Sequence, residues 1–244
     1  MKRSIIVLMS LCAAICLGAC SNGSGSGKLV MATNAAFPPY ESVEGDKVIG
    51  IDPEIAQLIA DDLGLELVIE DMAFDSIIAA VQSGKADIAM AGMTVTEDRK
   101  ENINFSDPYT TAAQVILVKN TSSVQSPDDL AGLTIGVQIG TTGDIYAEDI
   151  ENANIERYSK YFEAINALNQ DKIDAVIVDR EPGKVFVGEN PDLVMIDEEF
   201  TVEEYAIGVA KENTELLDNI NASLKKLKDS GKIDEIIGKY ITAE

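Results

Sequence analysis

The feature that most restricts the folds open to this chain is an alternation of short apolar runs with longer amphipathic stretches, which starts at Lys28. Apolar runs of about four to eight residues are typical of buried strands, whereas apolar residues three and four apart are typical of helices that bury one face. Strands are expected at "LVMAT", "ELVIE", "DIAMA", "TIGVQ", "DAVIV" and, late in the chain, "EYAIGVAK". This alternation predicts an α/β fold with mainly parallel sheets.

Helices are expected between these strands, at "DPEIAQLIADDLG", "DSIIAAVQSG", a short "SPDDLAG" and "YFEAINALNQD". The tail from Asn213 has the pattern of two helices that separate near Ser230. The first helix carries the clearest boundary signals, because Asp52 is suited to the N-cap, Pro53 to the first helical position and Gly64 to the stop.

One segment of the chain is echoed in its second half. "VQSGKADIAM", Val81–Met90, aligns without gaps on "LNQDKIDAVI", Leu168–Ile177, and both have the pattern of a helix end, a polar turn and a strand opened by Asp. Small or polar residues follow each copy, Gly92 and Thr94 after the first and Asp179 after the second. Ligands of open α/β sheets bind beyond the carboxyl ends of strands, so the echo predicts two lobes that face a cleft.

The charge of the chain excludes some classes of partner. It has 244 residues, with 42 Asp and Glu against 19 Lys and Arg, and a formal net charge of −23. Binding to nucleic acid or to anionic lipid requires clusters of basic residues that release or replace counterions. We therefore expect no nucleic-acid partner.

The N-terminus has the pattern of an export signal. Two basic residues precede the apolar run "SIIVLMSLCAAICLGA", which is short for a membrane span. Its end, "LGAC", resembles the lipobox of bacterial lipoproteins, and "SNGSGSG" after it is suited to a flexible tether. We expect a signal peptide over residues 1–19 and a lipidated Cys20 with a linker over residues 20–27. An ordinary secretory signal with a cysteine near its cleavage site is the alternative.

The sequence lacks the residues that several kinds of catalytic and metal-binding site require. The chain has no histidine, and none of its three cysteines lies beyond Cys20, so zinc ligation and histidine acid–base catalysis are not expected. "GVQIGTTG" has the wrong spacing for a phosphate-binding or dinucleotide-binding loop, and no segment has the pattern of a calcium loop. We expect neither a cofactor nor a metal. An enzyme would have to use Asp, Glu, Lys, Tyr, Ser or Thr.

Polar groups suited to a carboxylate follow the strand "DIAMA". The segment "MAGMTVTEDR" offers backbone N–H groups at Gly92, Met93 and Thr94, and then the planar guanidinium of Arg99. Thr96 is placed to cap the short helix that carries this arginine. A solvated turn and a surface helix would show the same pattern, so these residues alone leave the interpretation open.

Groups at two other strand ends complete the pattern. "GTTGD", Gly140–Asp144, begins another predicted helix, and helix N-termini attract anions. Asp179 follows an apolar strand and is suited to a cation. An arginine and N–H donors for a carboxylate, with an aspartate for an ammonium group, match the two charged ends of a free α-amino acid.

Ordered motifs over nearly the whole chain resemble a known family. They are "TNAAFPPYE", "GIDPEIAQLIADDLG", "DIAMAGMTVTEDRKENINFSDPY", "QVILVK", "IGVQIGTTG" and "IDAVIVD". They are similar to the extracytoplasmic solute-binding proteins (family 3) of polar amino-acid ABC importers. The resemblance implies a type II periplasmic-binding-protein fold with two lobes, each a mainly parallel sheet flanked by helices, and two hinge crossings.

The resemblance also implies a ligand-binding site. Its residues are Asn34, Phe37, Ile51, Ala91, Gly92, Met93, Thr94, Arg99, Gly140, Thr141, Thr142 and Asp179. Arg99 is expected to clamp the ligand carboxylate with help from Thr94, Thr142 and the region of Gly92. Asp179 is expected to hold the α-ammonium group.

The side-chain pocket is less well defined by the resemblance. Phe37 is expected to stack on the ligand side chain, with Asn34 and Ile51 lining the pocket. Binders of basic amino acids often have an acidic residue in place of Asn34, and glutamine binders often have an aromatic residue in place of Ile51. The ligand is therefore expected to be a polar amino acid, basic or glutamine-like.

The resemblance also implies which residues form each of the two lobes. Residues 28–110 and 205–244 are expected to form the first lobe and residues 111–204 the second. The chain is expected to be a monomer outside the membrane, anchored through Cys20, whose closed form is recognised by an ABC permease with its ATPase.

Two other functions fit the same fold. Some proteins that resemble this family are cyclohexadienyl or arogenate dehydratases, but these would need a further cation for a second carboxylate, and Asp179 favours a ligand with an ammonium group. A ligand-sensing adaptor for a receptor is the second alternative. We expect a binding protein rather than an enzyme.

Overall fold

The computed structural model describes residues 27–196, 198 and 201–241. The predicted signal peptide and Cys20 lie outside the described residues, as does the predicted linker except for Gly27. Within the described part of the chain, no helix has the length and apolar character needed to cross a membrane.

The described strands and helices follow the alternation that the sequence predicts. The strands are β1 (Lys28–Thr33), β2 (Ala36–Phe37), β3 (Glu41–Glu44), β4 (Lys47–Ile49), β5 (Glu66–Asp71), β6 (Ile88–Ala89), β7 (Ile103–Phe105), β8 (Thr110–Lys119), β9 (Thr134–Gln138), β10 (Asn154–Tyr158), β11 (Ala175–Asp179), β12 (Leu193–Ile196), β13 (Val202–Tyr205) and β14 (Gly208–Ala210). The α-helices are α1 (Ile51–Leu63), α2 (Ile77–Gln82), α3 (Glu97–Asn102), α4 (Thr142–Glu148), α5 (Tyr161–Asn169), α6 (Arg180–Glu189), α7 (Thr214–Asp229) and α8 (Lys232–Tyr240). Short 3-10 turns cover Phe74–Ser76 and Pro127–Leu130.

The strands form two main sheets with the same arrangement. The first has the order β5-β1-β6-β14-β7, and only β14 runs against the other four strands. The second has the order β10-β9-β11-β8-β12, and only β8 runs against the other four. The prediction of mainly parallel sheets is confirmed. Strands β2, β3 and β4 form a small antiparallel sheet.

Two neighbouring strands carry the chain between the main sheets. The first half of β8 pairs with β13, from Thr110 opposite Tyr205 to Ala113 opposite Val202, and the second half joins the second sheet. We call β8 and β13 the crossing strands. The predicted single strand "EYAIGVAK" is two strands, because its start pairs with β8 whereas its end pairs with β6 and β7. The lobe boundaries near residues 110 and 205 remain predictions, which these crossings support.

The tail of the chain returns to the first sheet. Helices α7 and α8 both pack against α1, and their apolar residues share one core with those of α1. Polar contacts reinforce this packing, since Ser223 and Lys226 donate to Asp62 and Lys239 pairs with Glu54. The long amphipathic face of the tail is thus buried on the lobe where the chain began.

Helix α1 differs from its prediction at the first turn. The N-cap is Gly50, so the prediction that Asp52 caps the helix is wrong. Asp52 is fully buried, and its carboxyl accepts from Gly92 N and from the Tyr109 hydroxyl instead. The stop is as predicted, because Gly64 adopts the left-handed conformation, with φ +69°, and donates to the last turn.

The echoed segments have the same structure in both sheets. The Asp87 carboxyl accepts from Val30 N at 2.7 Å, and the Asp174 carboxyl accepts from Thr134 N at 2.8 Å. The backbone N–H of each aspartate donates to the carbonyl of the same partner residue. Each aspartate therefore ties the start of one strand to the start of its neighbour, and the strand ends that follow lie at matching places in the two lobes.

Candidate functional site

A cavity lies between the two main sheets, at the carboxyl ends of their parallel strands. We call it the cleft cavity. It is lined by Asn34, Phe37, Glu41, Phe74, Ala91, Gly92, Thr94, Arg99, Gln138, Thr141, Thr142 and Asp179. Nine of these twelve lining residues are among the predicted site residues, and Glu41, Phe74 and Gln138 are additions.

Arg99 is held as a buried cation at one side of the cleft cavity. Its helix is capped as predicted, with the Thr96 hydroxyl accepting from the Arg99 backbone N–H. Its guanidinium donates to the Thr94 carbonyl at 2.7 Å and, across the cleft, to the Gly140 carbonyl at 3.0 Å. The Phe74 ring centroid lies 5.4 Å from the guanidinium carbon. Burial lowers the pKa of Arg99, so an anion in the cavity would be a favourable partner.

A buried carboxylate that sequence reasoning missed lies beside this cation. Glu203, on the crossing strand β13, accepts from the Thr94 hydroxyl at 2.9 Å and from the Thr142 hydroxyl at 3.1 Å. Gln114, on the other crossing strand, donates to the same oxygen at 3.3 Å. A hydroxyl has one proton to donate, so Thr94 and Thr142 offer lone pairs rather than protons to the cavity in this state. Alternation with the buried Tyr205 was the sequence signal that could have identified Glu203 as inward-facing.

Asp179 presents a buried carboxyl to the cavity from the end of β11. Only 5% of its surface is exposed, and one of its oxygens accepts from the Tyr205 hydroxyl. Burial, followed by repulsion from Glu203, raises the pKa of Asp179 to about 7. A cation bound here would favour the ionised form of the carboxyl, and the prediction of an ammonium partner rests on that.

The side-chain amides of Gln138 and Asn34 meet at the cavity from opposite sheets. Gln138, the last residue of β9, donates to the Asn34 side-chain oxygen at 2.9 Å and to the Ser159 carbonyl at 2.9 Å. The Asn34 amide in turn donates to the Met72 carbonyl at 2.7 Å. Together with the bond from Arg99 to Gly140, this pair joins the two sides of the cleft.

Aromatic rings form the apolar wall of the cavity. Phe37 stacks against Tyr40 and Tyr161, with ring centroids 5.9 and 5.6 Å apart and interplanar angles of 24°. Gly92 lies directly against Phe37 with φ +55°, and a Cβ at this position would come within 2.9 Å of the ring. A glycine is therefore required for the close approach of this turn to the ring.

A pair of carboxyl groups lies at the edge of the cavity. Glu41 lines it from β3 and is fully buried, as is the neighbouring Asp52. The two carboxyl groups are within hydrogen-bonding reach of each other. Burial raises the pKa of Asp52 to about 6 and raises that of Glu41 well above its usual range. The sequence contained Glu41 within the motif "TNAAFPPYE", but the pattern did not show which way its side chain points.

Three predicted site residues do not place a side chain in the cavity. Ile51 is fully buried in the core of the first lobe, and Met93 is fully buried in a separate core cluster beside α2. Gly140 contributes the carbonyl that accepts from Arg99. In the described part of the chain, no group of three or more His, Cys, Asp or Glu side chains is arranged to hold a metal ion.

Comparison with known proteins identifies the family of the chain. The arginine-binding extracellular protein ArtP of Bacillus subtilis is 33% identical over the full length of both chains. Among solved structures, a mutant of ArgBP from T. maritima is 41% identical with a TM-score of 0.86, covering 89% of this chain and 96% of that one. An ancestral arginine-binding protein bound to arginine is 38% identical with a TM-score of 0.84, covering 88% and 98%.

The comparisons confirm the predicted fold and separate the alternatives. The solved neighbours are substrate-binding proteins with the two-lobed type II architecture, and the relatives are named as binding proteins rather than enzymes. This supports a binding protein over the dehydratase alternative. The family model for bacterial extracellular solute-binding proteins, family 3, matches residues 29–243, and this chain therefore belongs to that family.

Proposed function

We propose that this chain is the extracytoplasmic substrate-binding subunit of an amino-acid ABC importer, and that its ligand is a basic amino acid with arginine bound most tightly. The observation that carries the proposal is the placement of three buried ionisable groups, Arg99, Asp179 and Glu41, around one cavity between two lobes. Relatives named for binding arginine support the choice of side chain.

The α-carboxylate of the ligand binds to Arg99. The bonds to Thr94 and Gly140 use two of the five N–H donors of the guanidinium, and the planar group has further donors for a carboxylate. The α-ammonium group binds to Asp179, with the lone pairs of the Thr94 hydroxyl as a second acceptor, since the proton of that hydroxyl is donated to Glu203. This changes the predicted role of the Thr94 hydroxyl from carboxylate to ammonium binding.

The ligand side chain extends along the aromatic wall to Glu41. Phe37 offers a flat apolar surface suited to the methylene groups and to the plane of a guanidinium. A planar guanidinium needs several acceptors in its plane, and the carboxyl of Glu41 with the amide oxygen of Asn34 provides acceptors of this kind.

The remaining parts of the transport function are inferred from the family. The chain acts as a monomer outside the cell membrane, held by lipid on Cys20, and presents its closed form to a permease coupled to an ATPase. A ligand that bridges the lobes shifts the population toward that closed form. A sensing role for a receptor would use the same closure.

Calorimetric titration tests this function. The chain without residues 1–19, unfolded and refolded to remove bound ligand, is titrated with arginine, lysine, histidine, glutamine, citrulline and prephenate. We expect arginine to bind most tightly and lysine next, because both are cations. Binding of neutral amino acids alone would contradict the proposed ligand class, and turnover of prephenate would contradict the binding function.

A further inference from the structure

The carboxyl pair formed by Glu41 and Asp52 is not explained by the fold alone. Both side chains are fully buried, Glu41 on β3 and Asp52 in the first turn of α1. Asp52 has a donor at each oxygen, Gly92 N at 2.9 Å and the Tyr109 hydroxyl at 2.8 Å. No hydrogen-bond donor of the described residues reaches either oxygen of Glu41. An ionised Glu41 in this place would be a buried charge without a partner.

The groups around Glu41 favour a bound proton. Asp52 acts on it from α1, Asp179 from β11 and Asp71 from β5, and all three are acids that raise the pKa of Glu41 after burial, the largest cause. The ordinary solution for two carboxyl groups in contact is to share one proton, because both cannot be ionised at low cost. A protonated Glu41 donates to Asp52, and Glu41 also lines the cleft cavity.

Other ionisable groups near the pair do not supply a cation. Tyr40 precedes Glu41 in the chain, and Tyr109 donates to Asp52, so both are neutral neighbours whose pKa is raised by burial. Arg99 lines the same cavity from α3, but its guanidinium is directed to Thr94 and Gly140.

We propose that Glu41 and Asp52 hold one shared proton that is exchanged for the side-chain cation of the ligand, so that the pair sets which side chains the cavity accepts. A neutral side chain binds with the proton in place. A cationic side chain binds with the proton released to solvent, and Glu41 then becomes the carboxylate partner of the cation. This inference rests on the proposed amino-acid site and adds a proton to its binding reaction.

The exchange gives the two kinds of ligand opposite pH dependence. Because arginine binding releases a proton, its affinity rises as the pH rises, until the pair of the free protein has lost the proton itself. Citrulline has nearly the shape of arginine without the charge. Apart from the ionisation of Asp179, which affects both ligands alike, the citrulline affinity is constant where the pair retains the proton and falls at higher pH, where binding requires a proton to be taken up.

The test measures, by calorimetry of the chain without residues 1–19, how many protons are released when a ligand binds. Arginine and citrulline are titrated at pH 7 in two buffers with different ionisation enthalpies, which gives the number of protons released per ligand. Asp179, whose pKa is about 7, ionises when the ammonium group of either ligand binds, so we expect arginine to release about one proton more than citrulline. Equal proton release by arginine and citrulline would overturn the inference but not the proposed function, whereas an absence of binding by any amino acid would overturn both.

A matched pair of variants assigns the proton. Glu41→Gln keeps the shape of the side chain but cannot lose a proton, so we expect arginine affinity to fall at least tenfold and more than citrulline affinity. The excess of proton release for arginine over citrulline is expected to disappear. Glu44→Gln, the same change at an exposed position on the same strand, is expected to match wild type. Equal proton release in Glu41→Gln and wild type would overturn the assignment even if the variant were less stable.

Discussion

At the scale of single residues, we expect ligand binding to depend most on Arg99. Its guanidinium is buried at 7% exposure and bonded on both sides of the cleft. Truncating one partner of a buried charge pair commonly costs about 2–5 kcal/mol of binding free energy. We expect Arg99→Ala to weaken amino-acid binding by a factor of about 100 or more in calorimetric titration.

The neighbour of Arg99 provides the control for this prediction. Lys100 lies on the same helix, is bonded to the exposed Glu97 at 2.9 Å and does not line the cavity. Lys100→Ala is expected to bind like wild type. If Arg99→Ala bound as tightly as Lys100→Ala, the assignment of the ligand carboxylate to Arg99 would have to be abandoned.

Asp179 leads to a prediction about stability. Its pKa is about 7 in the folded chain and near 3.8 when unfolded, so the unfolded state loses this proton first as the pH rises. Between about pH 4 and pH 7 this group therefore lowers the free energy of unfolding of the ligand-free protein. We expect Asp179→Asn to be more stable than wild type at pH 7, by about 1–3 kcal/mol, and less so at pH 5.

Urea denaturation at the two pH values measures this effect. Asp46→Asn, at an exposed turn, is the control and is expected to change the unfolding free energy little at either pH. Titration of the same Asp179 variant should show weaker binding of amino acids than wild type, with a smaller loss for analogues that lack the α-amino group. A variant that was destabilised at pH 7 would show that the carboxyl is not strained by burial.

At the scale of secondary-structure elements, the crossing strand β13 carries a side chain that bonds to residues on both sides of the cleft. Glu203 accepts from Thr94, which follows the first sheet, and from Thr142, which begins α4 beside the second sheet. One carboxylate on the crossing strand thus holds groups of both lobes. We expect Glu203→Gln to open the ligand-free protein, since an amide has one acceptor oxygen and carries no charge to strengthen these bonds.

Small-angle X-ray scattering of the ligand-free chain checks this expectation as an increase in the radius of gyration. Glu204→Gln is the matched control, because Glu204 is adjacent on the same strand but exposed. Equal radii for the two variants would mean that Glu203 does not hold the lobes together.

The sequence predicted the strands and helices better than it predicted which side chains line the cleft. Alternation and end signals identified most strands and helices, and the rule that strand ends carry ligands identified Thr94 and Asp179. Applied to "TIGVQ", the same rule would also have identified Gln138, the last residue of β9. Glu41 could not be identified in this way, because its contacts arise when distant strands meet, whereas alternation along β13 could have identified Glu203 as inward-facing.

Helix α1 shows why local signals can mislead at such a place. Asp52 is a residue type suited to the N-cap, yet the N-cap is Gly50, two residues earlier. Its carboxyl accepts from Gly92 and Tyr109, groups 40 and 57 residues away in the chain. The position of Asp52 is therefore set by these tertiary partners rather than by the cap.

At the scale of the whole molecule, function depends on the balance between open and closed lobes. Gln138 donates to Asn34 across the cleft, so this bond exists only when the lobes are closed. In the proposed function the ligand binds the closed form, so its apparent affinity is the affinity of the closed form multiplied by the fraction of protein that is closed. Loss of a neutral hydrogen bond costs about 0.5–1.5 kcal/mol, and the buried amide oxygen of Asn34 left without a donor adds to this cost.

We expect Gln138→Ala to weaken binding by a factor of about 10 and to enlarge the ligand-free radius of gyration, with no enlargement at saturating ligand. Gln170→Ala, at the exposed end of α5, is expected to change neither quantity. Weaker binding without a change in radius would assign Gln138 to direct contact with the ligand, whereas both changes together would show that closure itself contributes to affinity.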